Sequence, residues 1–139
     1  MANQTVSPGW DTELVPTAAG DSDEPDPACP VEEALHAISG RWTTLILRNL
    51  MSGSRSFSGL ASELPRLSDK VLSDRLTVLL RLGLIDKDVS AGFPNRTSYR
   101  LTARGRQLRP LLIELYQAGL RLQATDNGAA GVGCEGVKR

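Results

Sequence analysis

The stretch Leu67-Ser68-Asp69-Lys70-Val71-Leu72-Ser73-Asp74-Arg75-Leu76-Thr77-Val78-Leu79-Leu80-Arg81-Leu82-Gly83-Leu84-Ile85 reads as a helix that stops and becomes a strand. Ser68 is a good helix cap, because its hydroxyl can accept from a first-turn N–H. Gly83 is a good stop, because it tolerates the left-handed conformation that ends helices. Between them Leu72, Leu76, Leu79 and Leu80 recur at the helical period and fall on one side. Lys70, Ser73, Asp74, Thr77 and Arg81 cluster on the other side, within about a third of the circumference. Small hydroxyls with a cation near the N-terminus let a helix approach a major groove closely. Ser and Thr bond base edges or phosphates, and Lys70 reaches guanine or phosphate. Asp74 counts against this unless it accepts from a cytosine amine. Any amphipathic helix has a solvated stripe, so its neighbours decide between the two readings.

Downstream, Leu84 to Val89 reads as a strand, residues 90–95 as a turn, and Arg96 to Leu101 as a second, cleanly alternating strand. Arg96 at this turn can place a cation in a minor groove; the plainer alternative is a charge that keeps a strand edge soluble. Upstream, Pro30, Glu32 and Glu33 mark a helix start after Cys29. Val31, Leu35 and Ile38 share its face before Gly40. A second helix is expected from Trp42 to Met51, with Leu45, Ile46 and Leu50 inward. A short third helix carries Leu60 and Leu64 and breaks at Pro65. Thr102 caps a final helix, kinked by Pro110, whose Leu108, Leu111, Leu112, Leu115 and Leu122 form a seam suited to a facing helix. The expected fold is mainly α with a small β-hairpin, in the order of a winged helix-turn-helix.

The 139 residues have a formal net charge of zero, which hides a division. Residues 1–28 hold six acidic and no basic side chains, whereas residues 29–121 hold 14 basic and 8 acidic ones, a net +6. A basic domain suits a polyanion partner. The first 28 residues read as an acidic disordered leader, residues 29–122 as the folded domain, and residues 123–139 as a flexible Gly- and Ala-rich tail. No segment is apolar enough to cross a bilayer, and no signal-peptide pattern opens the chain, so a cytoplasmic location is expected. Two cysteines and one histidine are too few for a zinc finger, and neither a metal nor another cofactor is expected.

Several motifs lie in order across about residues 29–122. They are Cys29-Pro30, Gly40-Arg41-Trp42-Thr43, Gly53-x-Arg55-x-Phe57, the stretch quoted above, and Pro94-x-Arg96-x-x-Tyr99-x-Leu101-Thr102-x-x-Gly105. Together they resemble the HxlR family of bacterial transcription regulators. The resemblance implies a MarR-like winged helix that dimerises through its N- and C-terminal helices and binds promoter DNA. It makes the helix from Ser68 the recognition helix and residues 90–96 the wing, and it sets Arg55 against a phosphate. Gly59 and Leu80-Arg81-Leu82 stand where the family is commonly more acidic.

The expected DNA-contacting set is therefore Arg55, Ser68, Lys70, Ser73, Thr77, Arg81 and Arg96. The expected function is a homodimeric, sequence-specific regulator, a repressor of a nearby gene, with no catalytic residues. Arg75, at the edge of the apolar side, is expected to snorkel toward a phosphate or an acidic partner. Trp42 is expected as a core anchor. Cys29 precedes a helix start, a place that favours thiolate, although Glu32 and Glu33 oppose it. In relatives a cysteine there senses oxidants, so the resemblance permits a redox or electrophile switch with Cys134 as a resolving thiol. A reduced, structural cysteine remains the alternative. Two other classes stay open. One is a winged-helix module that binds proteins rather than DNA. The other is an enzyme using Cys29, disfavoured because His36 is the one imidazole and no catalytic set is recognisable.

Overall fold

The computed structural model describes Gly9, residues 11–92 and residues 96–129, with side chains as far as residue 125. Its elements run α1 (Pro30–Ile38), α2 (Thr43–Met51), β1 (Arg55–Ser56), α3 (Phe57–Glu63), α4 (Asp69–Arg81), β2 (Ile85–Ser90), β3 (Arg96–Leu101), α5 (Ala103–Arg106) and α6 (Arg109–Ala129). The mainly helical architecture with a small antiparallel sheet is the one the sequence leads us to expect.

Local chemistry explains most boundaries. Ser68 Oγ accepts from the Val71 N–H at 3.2 Å, which caps α4. At its other end the Leu84 N–H bonds the Leu79 carbonyl and the Gly83 N–H bonds the Leu80 carbonyl, both at 3.0 Å. That double closure requires the left-handed φ of +73° at Gly83. Ser56 and Thr102 cap α3 and α5 in the same way as Ser68, accepting from Gly59 at 2.9 Å and Gly105 at 3.0 Å.

The sheet order is β1-β3-β2. The hairpin pairs Ile85 with Leu101 through to Ser90 with Arg96. β1 adds to the other edge of β3, pairing Arg55 with Tyr99 and Ser56 with Ser98. Two residues are too few to show an alternation, so the sequence carries no sign of this strand. The core gathers Ile46, Leu47 and Leu50 of α2, Leu60 of α3, Leu72, Leu76 and Leu79 of α4, and Ile85, Tyr99 and Leu101 of the sheet. Leu45, expected inward, is only half-buried, and Leu47 takes the deeper position. Burial pushes the Tyr99 phenol above its ordinary pKa of 10.0.

The C-terminal helix departs from expectation. It is broken rather than kinked, with α5 ending at Arg106 and α6 beginning at Arg109. Pro110 cannot donate to the carbonyl four residues back, and its ring would clash with it. The chain therefore closes α5 with the tighter bonds Gln107 N–H to Arg104 O and Leu108 N–H to Gly105 O. Pro110 then sits in the first turn of α6, where a missing N–H matters least. Ahead of the domain, a 3-10 turn at Ala18–Gly20 packs near α1, and Val15 is buried.

At Gly105 the backbone meets the strand directly. A Cβ there would fall on the Leu84 carbonyl oxygen and lie 2.9 Å from Leu101 Cδ2. We expect Gly105→Ala to lower stability by about 3 kcal/mol, the upper end for overpacking, read as the shift in the urea unfolding midpoint. An unchanged midpoint would contradict this packing.

Candidate nucleic-acid interface

Leu72, Leu76 and Leu79 fix one side of α4 in the core, each no more than 1% exposed. The opposite side is open: Ser68, Lys70, Ser73, Thr77 and Arg81 are all exposed. The structure thus brings five of the seven expected contact residues to one helix and its cap. Their states differ. Lys70 Nζ lies 3.3 Å from Asp74 Oδ2 across one helical turn, so Asp74 is the partner of the cation beside it. Thr77 Oγ1 donates to the Ser73 carbonyl at 2.9 Å. Ser68 Oγ is occupied by its cap bond. The N-terminal end of α4, with its partial positive charge, adds to Lys70 on the same side.

Arg96 opens β3 and is exposed; among the described residues it makes no ion pair. Arg100 instead faces Asp86 across the hairpin, at 3.7 Å. The tip of the expected wing, residues 93–95, lies outside the described residues. Between α3 and the hairpin runs a cleft lined by Ser56, Phe57, Ser58, Arg96 and Thr97. The two serine hydroxyls are 3.3 Å apart. The sequence reading missed these serines; a hydroxyl capping position just before Phe57-Ser58-Gly59-Leu60 was the available signal.

Arg55 is engaged within the chain. Its Nε lies 2.8 Å from Glu63 Oε2, and its Nη1 donates to the Gly53 and Ser54 carbonyls, each at 3.1 Å. Glu63 also accepts from Asn49 Nδ2 at 3.0 Å, which ties α2, the turn before β1, and α3 together. Among the described residues Arg75 has no acidic partner: its Nε donates to the Arg41 carbonyl at 3.2 Å. Trp42 is half-buried against the core, as expected of an anchor. Cys29 caps the start of α1 through its backbone position, without a side-chain cap bond, and is 9% exposed. A cleft beside it is lined by leader residues including Gly20, Asp23, Glu24 and Asp26. His36 is exposed, near Glu32 and Glu33. Among the described residues no group of His, Cys, Asp and Glu could hold a metal ion, and no helix is long and apolar enough to cross a membrane. Cys134 lies outside the described residues.

A capped helix with an exposed hydroxyl-and-cation face, followed by an antiparallel hairpin, is the order of a winged helix-turn-helix. Over residues 37–126 the chain matches the family described as HxlR-like helix-turn-helix, and it belongs to that family. The matched span begins inside α1, after Cys29. The chain is 38% identical over 91 residues to the HTH-type transcriptional regulator sll1512 of Synechocystis sp., covering 66% of this chain and 67% of that protein. Among solved structures it resembles a MarR-family transcriptional regulator from Porphyromonas gingivalis (TM-score 0.65, 30% identity, 71% of this chain and 97% of that one). It also resembles the redox regulator HypR in its oxidised form (TM-score 0.61, 27% identity, 67% of this chain and 96% of that one). The chain is a DNA-binding transcriptional regulator.

The Lys70–Asp74 pair is exposed on both sides, so it contributes little to folding. Asp74→Asn is expected to change stability by less than about 0.5 kcal/mol while raising affinity for any DNA duplex, because it releases Lys70 and removes a carboxylate from the face. Thermal unfolding and anisotropy titration of the same samples check both halves.

Proposed function

We propose that the protein is a homodimeric repressor that lays α4 in the major groove, flanks it with the hairpin, and loses or changes its grip on DNA when Cys29 is oxidised. The observation that carries the DNA part is the contrast across α4: a fully buried leucine side, and opposite it an open side of hydroxyls and cations. Lys70, Ser73, Thr77 and Arg81 face the groove. Arg96 reaches the backbone or minor groove beside it, with the Ser56–Ser58 cleft as a neighbouring place for a phosphate oxygen. Ser68 contributes mainly as a cap and Arg55 as the clamp of the preceding turn, each next to the DNA backbone.

Pairing is supported by apolar side chains that one chain leaves in water. Val31 and Leu35 of α1 are 56% and 52% exposed, and Tyr116 and Leu122 of α6 are 68% and 67% exposed. These side chains on the two helices that flank the domain offer apolar surface for a second copy to cover. A two-fold dimer would set its recognition helices about one DNA turn, roughly 34 Å, apart. Sensing is supported by the likeness to HypR, whose name describes a redox regulator. A peroxide would convert the Cys29 thiol to a sulfenic acid and itself be reduced to water. Because the sulfur is buried beside the leader, that reaction needs residues 20–26 to lift from α1.

Two measurements test the reading. Against a duplex selected by the protein from a randomised pool, Lys70→Ala and Arg96→Ala should each make the plot of log affinity against log salt shallower by about one contact. Equal weak binding to selected and scrambled duplexes would leave only generic charge attraction and bring the protein-interaction module forward. Separately, mild peroxide should shift the affinity of the wild type but not of Cys29→Ser; identical affinity before and after oxidation would remove the sensing role.

A further inference from the structure

We propose that Arg75 is a positioning residue for DNA reading: from the inner flank of α4 its guanidinium clamps the corner between α1 and α2, and so sets the angle at which α4 meets the duplex. The inference rests on the DNA-reading role of α4 stated above.

The corner is built to receive that side chain. Gly40 has φ +96° and Trp42 has φ +77°, two left-handed residues flanking Arg41. For a residue as bulky as tryptophan this conformation is unfavourable by about 1–3 kcal/mol and persists only where surroundings enforce it. They do so here. The indole packs on the core. Buried Thr43 donates its hydroxyl to the Ser39 carbonyl at 2.9 Å, and its N–H bonds the Gly40 carbonyl at 3.3 Å. The guanidinium lies close against the bare Cα of Gly40. A Cβ there would sit 3.0 Å from Cζ and Nη1 and 3.3 Å from Nε, so a side chain enters only if the guanidinium shifts, and the φ of +96° strains it in any case. From that seat Nε donates to the Arg41 carbonyl, 34 residues away along the chain.

The directionality of this contact is what matters. Leu72, Leu76 and Leu79 decide which side of α4 meets the core, but burial is non-directional and leaves small adjustments about that setting open. A hydrogen bond from Nε to a backbone carbonyl adds the direction that burial lacks. Among the described residues Arg75 makes no ion pair, so its charge is not explained by an acidic partner. A second arginine, in α5, bridges farther along: Arg104 donates to the Leu82 carbonyl just past α4 and to Glu33 of α1, each at 3.1 Å. With α4 tied at its middle to the turn between α1 and α2, and its end linked through Arg104 to Glu33, the orientation of the DNA-reading side follows that corner.

The test compares the wild type with Arg75→Lys, which keeps the charge but loses Nε, and with Gly40→Ala, which crowds the guanidinium and strains the left-handed turn beneath it. Arg41→Ala, which leaves the carbonyl in place, is the control. The probe is the duplex selected by the wild type, with its scrambled counterpart, titrated in the cold where circular dichroism shows each variant folded. Both variants should bind the selected duplex about tenfold more weakly, comparable to the loss of one base-pair contact. Binding to the scrambled duplex and the salt slope should not change, and Arg41→Ala should match the wild type for the selected duplex. If one variant fails to fold, the other alone decides. Folded variants that bind the selected duplex like the wild type would reduce Arg75 to a folding role and overturn the proposal. A shallower salt slope with equal losses on both duplexes would make Arg75 a phosphate contact and overturn it too. A wild type that selects no sequence would overturn it through the DNA-reading role on which it rests, a failure visible before any variant is made.

Discussion

The bare backbone of Gly105 lies against the carbonyl oxygen of Leu84, and that contact determines where everything after α4 can go. Around it the Thr102 N–H bonds the Leu84 carbonyl at 3.0 Å, the Thr102 hydroxyl donates to the Gly83 carbonyl at 2.7 Å, and Arg104 donates to the Leu82 carbonyl. The end of α4, the start of β2 and the return of β3 are thus joined within a few residues. A side chain at position 105 would force these strands apart and loosen α4. The position of α4 therefore depends on the absence of one methyl group.

Charge is arranged around that fixed helix rather than spread evenly. Arg55, Arg75, Arg100 and Arg104 all have partners within the chain, so much of the basic excess of the domain serves its architecture. Arg81 and Arg96 stay outward, with Lys70 only loosely held by Asp74. A few exposed cations suffice for phosphate attraction, while hydroxyls on the same side carry hydrogen-bonding choice. The apolar residues left open on α1 and α6 lie on other elements than the exposed polar side of α4.

The recognition helix was legible because its leucines keep a strict period and its ends carry Ser68 and Gly83; the hairpin was legible because Arg96 to Leu101 alternates. What escaped the sequence has no periodicity to show. β1 is two residues long and exists because β3 offers it a free edge. The division between α5 and α6 depends on which carbonyl Pro110 would strike, and a kink and a break begin from the same residue. The inner partners of Arg55 and Arg75 include backbone carbonyls, which are invisible in a string of side chains, and Glu63 stands eight residues from the arginine it holds. The open side of α4 could be read from the sequence, whereas the supports that aim it could not.

The outer strand of the wing bears on behaviour at high concentration. β2 has β3 on one side and open backbone on the other, and every residue from Asp86 to Ser90 is exposed. Unpaired strand edges invite further strands to add, the first step toward fibrous assembly. The run Asp86-Lys87-Asp88 places alternating charges along this edge, so an incoming copy would have to desolvate them in order to pair. The wing can therefore stay narrow and open enough to lie beside DNA without becoming a template for self-association.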